Sequence, residues 1–246
     1  MSRILNNRWR GECHCFRPEW AETTFHADVQ DTECDGWKRL LDLIETAAAD
    51  GREDLIPTDH IPRKAWRDVV TLPGTIAKLT SVRRLVLHAS NLARIPPEIG
   101  GMEHLETLNT YGSYRLHWYP YEIVRCRRLV DSCVSTRALY GNHKFRPLFP
   151  TLQPRGSTVG LDLNDLAPAL WGADRAVTCS VCNGALTGAG LYQVWLSRPV
   201  ATDVLPLLVN ACSEACVRRL PDGVDGHVMI PHTGGPTVVQ PSGQWP

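Results

Sequence analysis

The chain has 246 residues and balances 26 Lys and Arg against 26 Asp and Glu, so its net charge is zero. That argues against a polyanion or a membrane surface recruited by bulk charge. Hydrophobic residues make up 43% of the sequence, enough for one large core or two small ones. The longest apolar stretch, residues 204–209, contains Pro206 and is far too short to span a bilayer. Residues 1–8 have no apolar run of the kind a signal peptide needs, and the expected location is cytoplasmic. Four of the nine cysteines have metal-ligand spacing, and in that compartment such a pattern favours metal over disulfides.

Residues 1–33 show no clear period and are read as part of an N-terminal cap. Cys13-His14-Cys15 stands out within them. Two cysteines one residue apart diverge and are poor partners for one tetrahedral ion. With His26 and Cys34 they can build a second metal site; otherwise Cys13, Cys15 and Cys34 are free thiols. Residues 35–50 are predicted to be a helix with Asp35 as N-cap. Its apolar face carries Trp37, Leu40, Leu41 and Ile44, and Asp50-Gly51 stops it. Trp66, Val69 and Val70 extend the same cap core.

Three segments then align. Leu72-Pro73-Gly74-Thr75-Ile76-Ala77-Lys78-Leu79 matches Ile95-Pro96-Pro97-Glu98-Ile99-Gly100-Gly101-Met102 and Tyr119-Pro120-Tyr121-Glu122-Ile123-Val124-Arg125-Cys126. In each, an apolar residue precedes Pro, Ile stands three places on, and an apolar or sulfur residue three further. The first complete unit reads Leu79-x-x-Val82-x-x-Leu85-x-Leu87-x-x-Ser90-x-Leu92-x-x-Ile95-Pro96. The second keeps Met102, Leu105 and Leu108 but has Thr110 at the second strand leucine. The third keeps Cys126 and Leu129, then has Ser132 and Val134. Over residues 72–140 this pattern resembles the leucine-rich repeat family, with about three units.

The resemblance implies a short strand near Leu85 to Leu87 and a return segment that starts at the Pro. Inward apolar residues would be buried only by stacking unit on unit. It also implies a concave strand face for partners. Alternation about Leu85 puts Arg84, Val86 and His88 on that face, then Thr107, Asn109 and Tyr111, then Asp131, Cys133 and Ser135. The mixture is mostly neutral and suits a protein or peptide partner. Trp118, Tyr119 and Tyr121, with Tyr114, form an aromatic group beside the third unit, read as core or cap. Residues 138–142 are read as a last strand and turn. The prolines at 147, 150 and 154 mark a linker over 146–172, whose Leu161, Leu163, Leu166 and Leu170 can pack back on the repeats.

The second strong signal is Cys179-x-x-Cys182 followed by Cys212-x-x-x-Cys216. Gly184 is expected to supply a left-handed position in a knuckle whose backbone N–H groups point at sulfur. Strands at 192–196 and 204–209 are expected to form a hairpin. Cys212 and Cys216, at i and i+4, are read as sharing one face of a helix that ends by Pro221. Knuckle, hairpin and helix resemble the treble-clef class of zinc fingers over about 175–221. That resemblance implies a closed, structural Zn²⁺ site. The tail from Asp222, with His227 and His232, is read as extended along this module or mobile.

No phosphate-binding glycine loop, His-Glu-x-x-His or Gly-x-Ser-x-Gly is present. A thiol–imidazole pair can be drawn from Cys126 or Cys133 with His117 or His143, yet Cys126 occupies an apolar repeat position. The expected fold is α/β: a short leucine-rich-repeat solenoid with an N-terminal helical cap, plus a small zinc-stabilised α+β module. The divisions are 1–71 (cap), 72–145 (repeats), 146–172 (linker) and 173–246 (zinc module and tail). The expected function is a non-enzymatic interaction module or adaptor. The alternative is a nucleic-acid-binding zinc finger using Arg155, Arg175, Arg198, Arg218 and Arg219, against which the zero net charge weighs.

Overall fold

The computed structural model describes residues 13, 23–26, 28–141, 146–152, 178–186 and 191–241. Cys15, His14, His143, the linker leucines, and Arg155 and Arg175 therefore lie outside the described residues.

Helix α1 spans Asp35–Asp50. Its N-cap is Cys34, not Asp35. Cys34 has extended backbone, and its Sγ accepts from the Trp37 N–H at 3.4 Å. Asp35 lies in the first helical turn, where its carboxylate pairs with Arg39 one turn on. Gly51, at φ 67°, ends the helix. The buried stripe is Trp37, Leu40, Leu43, Ile44 and Ala47; Leu41 is only half-buried, because Leu43 completes the i, i+3, i+4, i+7 face instead. After a short helix α2 (Pro57–His60), the chain forms α3 (Arg63–Trp66), and the start of α1 comes so near it that a Cβ on Gly36 would meet the Ala65 carbonyl oxygen at 2.1 Å.

The three aligned segments form three 3₁₀ turns, Gly74–Lys78, Pro97–Gly101 and Tyr121–Arg125. Each follows an extended proline. The Ile76 and Ile99 N–H groups donate to Pro73 and Pro96, and Leu79, Met102 and Cys126 donate back to Ile76, Ile99 and Ile123. Side chains three apart on a 3₁₀ turn eclipse one another. That geometry accounts for the Pro-x-x-Ile-x-x-apolar spacing: Ile76, Ile99 and Ile123 are all buried. Gly100 sits between neighbouring turns, and a Cβ there would meet the Glu122 carbonyl oxygen at 2.7 Å.

Between the turns run short strands: β1 (Asp54–Leu55), β2 (Arg84–Val86), β3 (Thr107–Asn109) and β5 (Asp131–Cys133). They form one parallel sheet in the order β1-β2-β3-β5. The register aligns Leu55, Leu85, Leu108 and Ser132 in one row, all buried, and Asp54, Arg84, Thr107 and Asp131 in the next. Polar residues at apolar places are satisfied locally. Thr110 Oγ1 lies 2.6 Å from the Tyr119 hydroxyl, and the Ser90 and Ser113 hydroxyls are 2.8 Å apart, both pairs buried.

A second sheet, order β4-β7-β6, joins β4 (Tyr119–Pro120) in parallel to β7 (Asp203–Ala211), which pairs antiparallel with β6 (Tyr192–Val200). The hairpin is longer than its apolar runs suggested, and turns through Ala201 at φ 53°. Val200, Leu205 and Leu207 belong to the same core as the strand leucines. Trp118, Tyr140, Phe149 and Trp195 form a second buried cluster with Phe25 against it. The tail returns to β6, where His232 and Trp195 exchange both backbone hydrogen bonds. The molecule is thus mixed α/β, with parallel and mixed sheets and few helices.

Candidate metal centre

The hairpin determines where the four cysteines meet. Its open end pairs Tyr192 with Ala211, so Cys212 leaves β7 directly. The knuckle is tied to that end by two bonds: Ser180 N–H to the Asn210 carbonyl, and Asn210 N–H to Ser180 Oγ. Within the knuckle, Cys179 N–H donates to Gly184 and Asn183 N–H donates to Cys179. The left-handed residue is Asn183 (φ 63°), not Gly184. Asparagine tolerates that region better than most residues with a Cβ. A Cβ at Gly184 would make only ordinary contact with Cys182 Sγ, at 3.4 Å.

The last helix, α4, spans Glu214–Arg218 with Ser213 as N-cap, its side chain accepting from Cys216 N–H. Cys216 is helical; Cys212 precedes the cap, so the two do not share a helix face. They still converge. Cys212 Sγ lies 3.6 Å from Cys216 Sγ and 3.7 Å from Cys182 Sγ, and all four sulfurs lie within 4.8 Å of one another. A disulfide needs about 2.05 Å. The edge of a tetrahedron with four zinc–sulfur bonds of about 2.3 Å is about 3.8 Å. The spacing is compatible with a shared ion and too long for a disulfide.

The electrostatics agree. Burial pushes the Cys179 thiol up, but the backbone N–H groups of Cys182, Cys212 and Val181 outweigh it and bring it down to about 7. Cys212, facing Cys216 and Cys182, is pushed up to about 12. A first thiolate is favoured and the next is opposed by its neighbours, a conflict that a bound cation removes. Arg218, a candidate for offsetting the cluster's charge, pairs with Glu214 at 3.4 Å.

Cys34 does not join Cys13: its sulfur caps α1 and accepts from Gln30 Nε2. Cys13 and His26 do meet, and the third member of their group is His117, from a distant part of the chain. Cys126 is buried, its thiol 3.2 Å from the Ile99 carbonyl and pushed up to about 12 by burial. Arg198 donates to the Asp222 carbonyl. Arg84, Val86 and His88 stand in register beside Thr107, Asn109 and Tyr111, on the side opposite the buried leucines. Arg84 Nε pairs with Asp54 at 2.6 Å, and the His88 and Tyr111 rings stack with centroids 6.0 Å apart. The β1 carboxylate and this stack are tertiary features that the strand pattern does not announce.

No protein-family model matches the chain, and no curated protein matches it. No helix among the described residues is long and apolar enough to cross a membrane.

Proposed function

We propose that the chain is a non-enzymatic, cytoplasmic interaction protein of the leucine-rich-repeat kind, with a structural Zn²⁺ held by Cys179, Cys182, Cys212 and Cys216 in a treble-clef-like module. The observation that carries the binding role is the open sheet face. Its rows Arg84–Thr107 and Val86–Asn109, continued by the His88–Tyr111 ring pair, present mixed, half-exposed side chains on a rigid parallel frame. Aromatic and short polar groups on such a frame suit a protein or peptide. The recurring Pro-x-x-Ile turn and the one-strand-per-unit register support the repeat reading. The thiol spacing supports zinc, whose four filled positions make the site structural.

Photo-crosslinkers placed singly at Val86, Asn109 and Tyr111 test the face, with Val124 and Arg127 as controls. The first set is expected to capture one common protein, and His88→Asp with Tyr111→Ala is expected to abolish capture. Equal capture from the controls, or salt-dependent binding of generic duplex DNA through Arg198 and Arg219, would overturn the reading. Metal analysis of protein purified reduced and without chelator tests the zinc separately: the ion is expected, and Cys212→Ser is expected to lose it.

A further inference from the structure

Three residues widely separated in sequence, Cys13, His26 and His117, bring their ligand atoms within 4.8 Å of one another. Cys13 and His117 are buried, and the His26 side chain is 15% exposed. Cys13 Sγ lies 3.2 Å from His26 Nε2. The His26 and His117 rings stack with centroids 5.1 Å apart, and Tyr140 packs on the other ring contact of His117 at 5.0 Å.

His117 has the outer support that a metal-ligating histidine uses. His117 Nδ1 faces the Ala138 carbonyl, which can only accept. The ring hydrogen is therefore on Nδ1, and in the neutral ring the Nε2 lone pair is left over. That Nε2 is fully buried and has no hydrogen-bond partner. His26 Nδ1 lies 3.7 Å from the Asp28 carboxylate, and Asp28 is held in turn by Arg115. The carbonyl behind His117 is the outer partner that orients a histidine on an ion, while the Asp28 carboxylate stands near His26 beyond direct hydrogen-bond reach. Arg94 fixes the same strap, donating to the His26 and Asp28 carbonyls.

A buried imidazole nitrogen without a partner costs free energy. One thiolate and two imidazoles are a donor set that suits zinc and cobalt and does not suit calcium or magnesium. We propose that Cys13, His26 and His117 form a second metal site of the zinc class, which ties Cys13 and His26 to His117 across the fold. Three protein donors leave the fourth position of a tetrahedral ion to water or another donor. The inference does not depend on the four-cysteine site.

The test uses the full chain, purified reduced and without chelator, with zinc counted per chain and Co²⁺ exchanged in anaerobically. Two ions per chain are expected. Cys13→Ala and His26→Ala are each expected to leave one, with circular dichroism unchanged; His26 is the safer variant because it is partly exposed. Cys212→Ser is expected to retain one tetrahedral cobalt with weak thiolate charge transfer, as a single sulfur donor gives. One ion that vanishes with Cys13→Ala but survives Cys212→Ser would support this site and overturn the four-cysteine reading. One ion that vanishes only with Cys212→Ser, two that both survive Cys13→Ala and His26→Ala, or none at all would overturn this proposal.

Discussion

The parallel sheet is closed by different means at its two ends. Toward the N-terminus, α1 lays down an apolar stripe, Leu40, Leu43, Ile44 and Ala47, in one core with Leu55, Ile61, Trp66 and Ile76. Toward the C-terminus Val200, Leu205 and Leu207 of the hairpin join that core, and the hairpin turn also holds the edge strand β5 through polar groups. Thr202 Oγ1 accepts from Ser132 N–H and donates to the Ser132 carbonyl, while Ser132 Oγ reaches the Val200 carbonyl and the Asp203 carboxylate. Apolar burial needs no ion. The hairpin that closes the other end carries the four cysteines at its far end, so that end is coupled to whatever the sulfurs hold.

The largest effect follows from that coupling. Chelation, or Cys212→Ser, removes binding energy on the order of 10 kcal/mol if the ion is structural zinc. Hydrogen exchange should then show β6 and β7 amides losing protection while α1 amides keep theirs. Loss of protection over both ends alike would break the comparison, making the ion a keystone of the entire molecule. Next comes the apolar end. Leu40 is 1% exposed, and Leu40→Ala should cost about 2–5 kcal/mol by denaturant unfolding. The metal content should not change. A fall in bound metal would mean that the two ends unfold as one unit.

Acid sharpens the contrast. His232 pins the tail to β6, and burial lowers its pKa to about 4. Its Nδ1 accepts from the Gly234 N–H, so protonation there breaks a bond. The folded state binds this proton more weakly than the unfolded chain, whose histidine has a pKa near 6.5. The contribution is therefore complete above about pH 6.5 and is lost as pH falls through about 4, to a total of roughly 3 kcal/mol. His232→Gln should flatten the difference in unfolding free energy between pH 7 and pH 4 by about that amount. Leu40→Ala should leave the slope as it was. Parallel slopes for wild type and His232→Gln would show that His232 is not the source.

The parts legible in the sequence are those fixed by neighbours in the chain. The Pro-x-x-Ile spacing is a local 3₁₀ requirement, and the paired cysteines need only a knuckle and a short helix to converge. Less legible is whatever distant segments decide. Cys34 caps α1 because the Asp31–Glu33 turn leads into it, and a sulfur acceptor is a weaker signal than the neighbouring Asp35 carboxylate. Leu43 outranks Leu41 because α3 and the first 3₁₀ turn set the azimuth of α1. Asn183 takes the left-handed position because the Cys179 carbonyl draws its N–H inward, although Gly184 is the residue best suited to that region. His117 joins Cys13 across the fold, and no sequence spacing encodes that meeting. The parallel pairing of β4 with β7 has no local signal either, because Tyr119-Pro120 gives only two residues of strand.

Ser132 occupies the place where the register puts leucine in the two preceding strands, Leu85 and Leu108. As the last strand of its sheet, β5 meets the hairpin turn and not another apolar row, so a hydroxyl serves there and an isobutyl group would strand Asp203. Burial already raises the Asp203 pKa, with Ser132 and Arg146 opposing the rise. Ser132→Ala should therefore cost about 1–2 kcal/mol at neutral pH and cost less in mild acid, since the deleted hydrogen bond favours the carboxylate and acid discharges that carboxylate in either protein. Asp203→Asn in the same background should recover part of the loss, because an amide is cheaper to bury without that hydroxyl. Additive effects in the double-mutant cycle would show that the two side chains do not interact, and would leave the turn's hold on β5 to Thr202 alone.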